Sequence, residues 1–224
     1  MAKRKRICVY CGSQEKSTKD HIPPKCLFAD LPDDLITVDS CKTCNNGASK
    51  DDEYLRDLLI RERRTENHSE ARKVRQKFYR ALQREESRGY TKSIVDNIVP
   101  LDVFTQAGIY IGSAGGYEVD HERLDRVVER IIKGLYSNTH RTRLPDSYEV
   151  EVWDDNYLAE FDQDTQDEFL RPFMSMNGQP PTKAIGNGVF AYWYLQAVDS
   201  DFVTAWVLRF YNSVFMFCKT VPKD

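Results

Sequence analysis

Two sets of residues near the start of the chain have types and spacing that could do chemistry. Asp20 and His21 stand side by side in Ser17-Thr18-Lys19-Asp20-His21-Ile22-Pro23-Pro24-Lys25, an acid and an imidazole followed by backbone that two prolines stiffen. They are bracketed by Cys8-Val9-Tyr10-Cys11 and Cys41-Lys42-Thr43-Cys44, two CxxC pairs. A two-residue gap lets both sulfurs of a pair face one ion, and four thiolates are the usual ligands of a tetrahedral structural zinc. The 29 residues between Cys11 and Cys41 leave room for an inserted hairpin or loop. A redox role fits less well, because neither pair lies between a strand and a helix of a βαβ unit. With sulfur at all four positions the zinc is closed to substrate, so any catalysis belongs to the residues it holds in place.

The elements that must position these residues can be read from periodicity. Ser49-Lys50-Asp51-Asp52 reads as a capping box with Ser49 as N-cap. The helix that follows carries Tyr54, Leu55, Leu58 and Leu59 and reaches about Arg64. A second helix, Ser69 to Glu86, sets Ala71, Val74, Phe78, Ala81 and Leu82 on one face and Arg72, Lys73, Arg75, Lys77, Arg80 and Arg84 on the other; Arg88-Gly89 ends it. Further on, 108–111 and 117–119 read as short strands around Gly115-Gly116. An amphipathic helix is expected over 121–136, with Leu124, Val127, Val128, Ile131, Ile132 and Leu135 along its apolar stripe. A strand is expected from Tyr148 to Trp153, and three more at 186–197, 202–211 and 214–220. The segment 145–170 holds ten acidic residues and no Lys or Arg and reads as a solvated, loop-rich surface. The fold class is therefore α+β, a long helix packed on an antiparallel meander.

Composition bounds the rest. A chain of 224 residues with 41% apolar and 30% charged residues can bury a core as one domain or two small ones. No apolar run approaches the ~20 residues of a membrane span. The basic start, Lys3 to Arg6, precedes no apolar segment, so a secretory signal is not expected, and the cysteines read as intracellular metal ligands. The expected compartment is the cytoplasm, with no membrane partner. Residues 1–90 carry 20 Lys/Arg against 15 Asp/Glu, and residues 91–224 carry 12 against 20. Such asymmetry marks a surface for an anionic partner or simply solvates the chain.

The order Cys-x-x-Cys, Asp-His-Ile-Pro-Pro-Lys, Cys-x-x-Cys-Asn resembles the four-cysteine branch of the HNH, or ββα-metal (His-Me finger), endonucleases, a branch that includes phage junction-resolving enzymes. The likeness covers residues 7 to 60. It implies a zinc-stabilised ββα finger over 1–60 with Cys8, Cys11, Cys41 and Cys44 on zinc; beyond the likeness, periodicity and charge give a basic helical connector over 61–90 and an α+β accessory domain over 91–224. It further implies His21 as general base, and Asp20 and Asn45 as ligands of a catalytic Mg²⁺ or Mn²⁺, with Asn46 as the fallback for Asn45. Oxygen ligands of this kind suit such hard cations. In a strand Asp20 and His21 face opposite sides, so either a kink or a metal at the strand edge is required. The plainer alternatives are a surface pair at a turn for Asp20-His21 and a helix-start residue for Asn45.

The sequence departs from many members of the superfamily in one respect. The run Leu35 to Asp39 lacks the central Asn that orients the base, so Asp34, Thr37 or a backbone carbonyl must replace it. Residues 130–150 are similar to a segment of small stand-alone bacterial HNH proteins, some linked to phage defence. The expected function is hydrolysis of DNA phosphodiester bonds, with RNA cleavage or a non-catalytic zinc module binding nucleic acid or protein as alternatives. Lys25, Lys50, Arg72, Arg75 and Arg80 are the candidate phosphate contacts, with Lys42 and Lys3–Arg6 beside them. An activating protein partner and a homodimer are compatible with this reading. The acidic 145–170 tract is expected either to bind a protein or to mask the basic surface.

Overall fold

Asp20 and His21 lie on a two-stranded hairpin whose register follows from alternation. The computed structural model describes residues 7–15, 17–105 and 107–223, with Asn156 through its backbone alone; the basic run Lys3–Arg6 lies outside the described residues. Strand β1 (Ser17–Ile22) pairs antiparallel with β2 (Ile36–Cys41), setting Asp20 opposite Val38 and His21 opposite Thr37. Ile36, Val38 and Ser40 point into the core, and so do Asp20 and Ile22 on β1, which leaves His21 on the opposite, half-buried face. β1 ends at Pro23, which cannot donate to a ladder, and the Ile22–Pro23 peptide is cis.

Cys41 closes β2 and caps α1 (Lys42–Gly47), its sulfur accepting the Cys44 N–H at 3.4 Å. Only Ala48 separates α1 from α2 (Ser49–Arg61). Ser49 is therefore not the N-cap that its sequence suggests. Ala48 holds that position in helical geometry, its carbonyl accepts from Asp51 and Asp52, and the Ser49 hydroxyl donates back to Asn46. α2 stops at Arg61. Helix α3 (Ser69–Leu82) ends four residues before the expected Glu86, and a 3-10 turn leads into α4 (Arg88–Asp96), so Gly89 opens a helix rather than ending one.

Strands β3 (Ile98–Phe104) and β4 (Tyr110–Tyr117) form a separate hairpin. Gly115-Gly116 lies inside β4 instead of between two short strands, paired with Pro100 and Val99 of β3, and the side chains of Ile98 and Leu101 lie over the two glycines. Helix α5 (His121–His140) runs one turn past the expected end and terminates at Arg141, in left-handed conformation. The acidic tract opens with the expected strand, β5 (Tyr148–Asp154), and is then more regular than expected, forming α6 (Asp155–Leu158) and α7 (Gln163–Leu170) with Trp153, Leu158 and Phe169 packed beneath its charges.

Strands β6 (Lys183–Ile185), β7 (Phe190–Gln196), β8 (Thr204–Phe210) and β9 (Val214–Pro222) complete an antiparallel sheet in the order β5-β9-β8-β7-β6. One face, with Trp206, Leu208 and Met216, belongs to the same buried cluster as α5; the other, with Ala205 and Val207, packs on Phe169, Phe173 and Met176. The architecture is thus mixed helix and antiparallel sheet. No helix among the described residues is long and apolar enough to cross a membrane.

The link between this sheet and the N-terminal hairpin is α5. One buried cluster contains Val9, Ile22 and Leu55 together with Val127, Ile131, Leu135 and Trp206. Each fully buried aliphatic side chain contributes about 1.5–3 kcal/mol, so the α5 stripe is a main source of cohesion. At the crossing with β1 the helix carries Gly134, where an added Cβ would sit 2.7 Å from Ile22 Cδ1. Gly134→Val is expected to lower stability by about 1–3 kcal/mol through overpacking. A urea midpoint equal to wild type would mean that α5 does not rest on Ile22.

Candidate functional site

The four sulfurs of Cys8, Cys11, Cys41 and Cys44 lie within 4.8 Å of one another. Those of Cys11 and Cys41 are 3.7 Å apart, far beyond a disulfide bond and close to the separation of about 3.8 Å that tetrahedral geometry with ~2.3 Å Zn–S bonds requires. Local backbone builds the cradle. The Gly12 N–H donates to the Cys8 carbonyl at 2.9 Å with Gly12 at φ 75°, a conformation that favours glycine, and the Val9 N–H donates to Asp39 of β2 at 3.0 Å. Burial opposes ionisation of Cys8, yet backbone hydrogen bonds from Cys11, Cys41 and Tyr10 outweigh it and bring the thiol down to about 6. Burial and the neighbouring sulfurs of Cys41 and Cys11 hold Cys44 well above the usual thiol range. Four thiols this close need a cation before all can ionise, so the cluster could hold a zinc ion.

A cleft of about 420 Å³ is lined by Asp20, His21, Lys25, Asn45, Ser49 and Asp52, among others, and Asn45 directly follows Cys44 of the thiol cluster in the chain. Asp20 is buried, and its carboxylate is nearly saturated. Oδ2 accepts from the Tyr10 hydroxyl at 2.6 Å and from Arg130 Nη1 at 3.1 Å, while Oδ1 accepts from the His21 backbone N–H at 2.8 Å. Asn45 turns its amide nitrogen onto β1, donating to Thr18 Oγ1 at 2.9 Å and the Lys19 carbonyl at 3.3 Å. Its Oδ1 has no hydrogen bond among the described residues.

The His21 side chain has no hydrogen bond among the described residues; exposed Thr37 stands opposite it in register. Burial first, and the Lys25 charge second, lower the His21 pKa, so the imidazole is neutral near pH 7. No kink is needed to bring Asp20 and His21 to one cleft: they face opposite sides of β1 and both border it.

Sequence reasoning missed three residues here. Arg130 of α5 reaches across to Asp20 and, through Nη2, to Asp52 of α2. Burial pushes the Asp52 carboxyl up to about 6 against the opposing pull of Arg130. Tyr10 lies within the first CxxC pair, and burial raises its hydroxyl, with the Asp20 charge adding to the effect. Helical period gave no signal for Arg130, which lies on the flank of the apolar stripe beside Arg126 and Lys133, where a charge reads as solvated.

The candidate phosphate contacts scatter. Lys25 is exposed at the cleft rim, and Lys50 borders a second, polar cavity with Tyr54, Arg61 and Arg123. Arg72 and Arg80 are exposed, with no ion pair among the described residues. Arg75 is engaged elsewhere, donating to the Ile60 carbonyl at 2.6 Å and to Thr65 Oγ1 at 3.1 Å, where it closes the end of α2. Lys73 pairs with Glu70, and Lys77 donates to Ala29, so the basic face of α3 is narrower than its sequence implies. A groove of about 430 Å³ on the far face of the sheet, lined by Phe173, Met174, Trp193 and Phe215, is apolar and far poorer in reactive groups.

Comparison with family models, with curated proteins and with solved structures finds no match to this chain.

The thiol cluster makes a direct prediction. Elemental analysis should find about one zinc per chain. Cys41→Ser should lose zinc and melt at a lower temperature, since structural zinc contributes folding free energy. Cys26→Ser and Cys218→Ser should keep it, because Cys26 instead donates to the Asp52 carbonyl at 3.3 Å and Cys218 is buried in the sheet core. Full zinc content in Cys41→Ser would remove the cluster as the metal site.

Proposed function

We propose that this chain is a zinc-stabilised endonuclease of the HNH type that hydrolyses DNA phosphodiester bonds with Mg²⁺ or Mn²⁺. The observation that carries this reading is the convergence of His21, Asp20 and Asn45 on one cleft, with Asn45 next in sequence to Cys44 of the four clustered thiols. The donor set fits the ion: one carboxylate oxygen of Asp20 and the amide oxygen of Asn45 are hard ligands, with open positions beside them. When bound, the divalent cation neutralises charge on the phosphate and on the leaving oxygen. His21 takes a proton from water on its neutral imidazole. Lys25, at the rim, offers a positive charge to the phosphate backbone, a contact that is independent of sequence and weakened by salt.

One observation favours a second reading, a zinc module that binds nucleic acid or protein without cutting it. A general base is ordinarily held by a partner, and the His21 ring has none among the described residues. Cleavage separates the two.

Purified wild type should convert supercoiled plasmid with Mg²⁺ or Mn²⁺ and not with EDTA. His21→Ala, zinc-loaded and folded, should cut at least ~10²-fold more slowly. Equal cutting by both proteins would identify a contaminant; no cutting by either, with zinc bound, would favour the binding module. Matched DNA and RNA substrates decide which polymer is cut.

A further inference from the structure

The hydrogen bonds around Asp20 do more than satisfy a buried charge. An ionised carboxylate has about four lone-pair sites. Both sites on Oδ2 are taken, by the Tyr10 hydroxyl at 2.6 Å and Arg130 Nη1 at 3.1 Å. Oδ1 holds the His21 N–H at 2.8 Å and keeps one site free. Arg130 also donates through Nη2 to Asp52, the other acid that lines the cleft on the α2 side, and so occupies a charge that could otherwise compete for a cation. The clamp comes at the expense of Arg130 itself, whose Nε is buried with no partner among the described residues. A buried donor left unmade costs about 1–3 kcal/mol, which argues that the guanidinium is aimed at the two carboxylates rather than placed for packing.

We infer that Tyr10 and Arg130 are positioning residues of the proposed catalytic centre, holding Asp20 so that Oδ1 alone faces the divalent cation and keeping Asp52 off it. This rests on the nuclease reading. Tyr10 comes from between two zinc cysteines and Arg130 from α5, so the orientation of one carboxylate is set jointly by the thiol cluster and by a helix outside the ββα unit. Groups that orient a metal ligand typically change metal affinity by 10–100-fold when removed.

The test is Mn²⁺ binding to the zinc-loaded full chain, read as loss of the free aqueous Mn²⁺ signal by electron paramagnetic resonance, with a melting curve for every sample. Asp20→Asn identifies the site by abolishing binding. Tyr10→Phe removes one hydroxyl and no charge. The double variant Arg130→Met, Asp52→Asn removes a positive and a negative charge together, so the field at the site is nearly conserved while the clamp is lost.

Both are expected to weaken Mn²⁺ binding at least about tenfold. A merely structural pair would lower the melting temperature and leave Mn²⁺ affinity alone. Wild-type binding that Asp20→Asn abolishes, with affinity unchanged in Tyr10→Phe and in the double variant, overturns the inference and spares the nuclease reading. No Mn²⁺ bound by wild type, or equal binding by Asp20→Asn, overturns both. Should the Arg130 variant fail to fold, Tyr10→Phe alone decides.

Discussion

The buried carboxylate of Asp20 is the constraint around which the N-terminal half is arranged. A carboxylate this buried needs donors on its oxygens, because the desolvation of a charge costs several kcal/mol. Its donors come from three places: the backbone of His21 next to it, Tyr10 in the first cysteine pair, and Arg130 some 110 positions later in α5. Each can arrive only if its own segment is correctly placed. The thiol cluster must form for Tyr10 to reach, and α5 must lie across β1 for Arg130 to reach. Gly134 sits where that crossing is tightest.

This arrangement explains why the thiol cluster and the α5 crossing are complementary. The hairpin of β1 and β2 is short, and two strands alone are marginal in water. Two things make up the deficit. A metal on four sulfurs would tie the start of the chain to the end of β2, and Val9 already bonds there through Asp39. The aliphatic stripe of α5 then covers the inner face of the hairpin and joins it to the five-stranded sheet in one core. The distal sheet therefore acts on the cleft indirectly, by fixing the helix that carries Arg130.

Electrostatics within the cleft divides two acids and one base into different roles. Asp20 is surrounded by donors. Asp52 is held by Arg130 and pushed toward protonation by burial. For the His21 ring, on the opposite face of the same strand, burial and the Lys25 charge outweigh the opposing Asp20 charge and lower the pKa. Alternation along β1 is what places buried Asp20 and half-buried His21 on opposite faces at adjacent positions.

Much of this was legible in the chain itself. The spacing of the two CxxC pairs determined the sulfur cluster, since a two-residue gap forces each pair into one knuckle. Alternating and 3.6-residue patterns determined the long helix over Leu124 to Leu135 and the last three strands, because burial of one face writes itself directly into period. What the pattern could not show were features with no local cause. Whether Ser49 capped a helix depended on α1 running straight into it. Whether Gly115-Gly116 broke a strand depended on Ile98 and Leu101 lying over it. The partner of Arg130 could not be read from helical period, because the residue sits on the flank of the apolar stripe beside Arg126 and Lys133, where a charge reads as solvated. Tertiary structure alone decided that the partners are Asp20 and Asp52, for the physical reason that ion pairing acts through space between residues that no local periodicity connects.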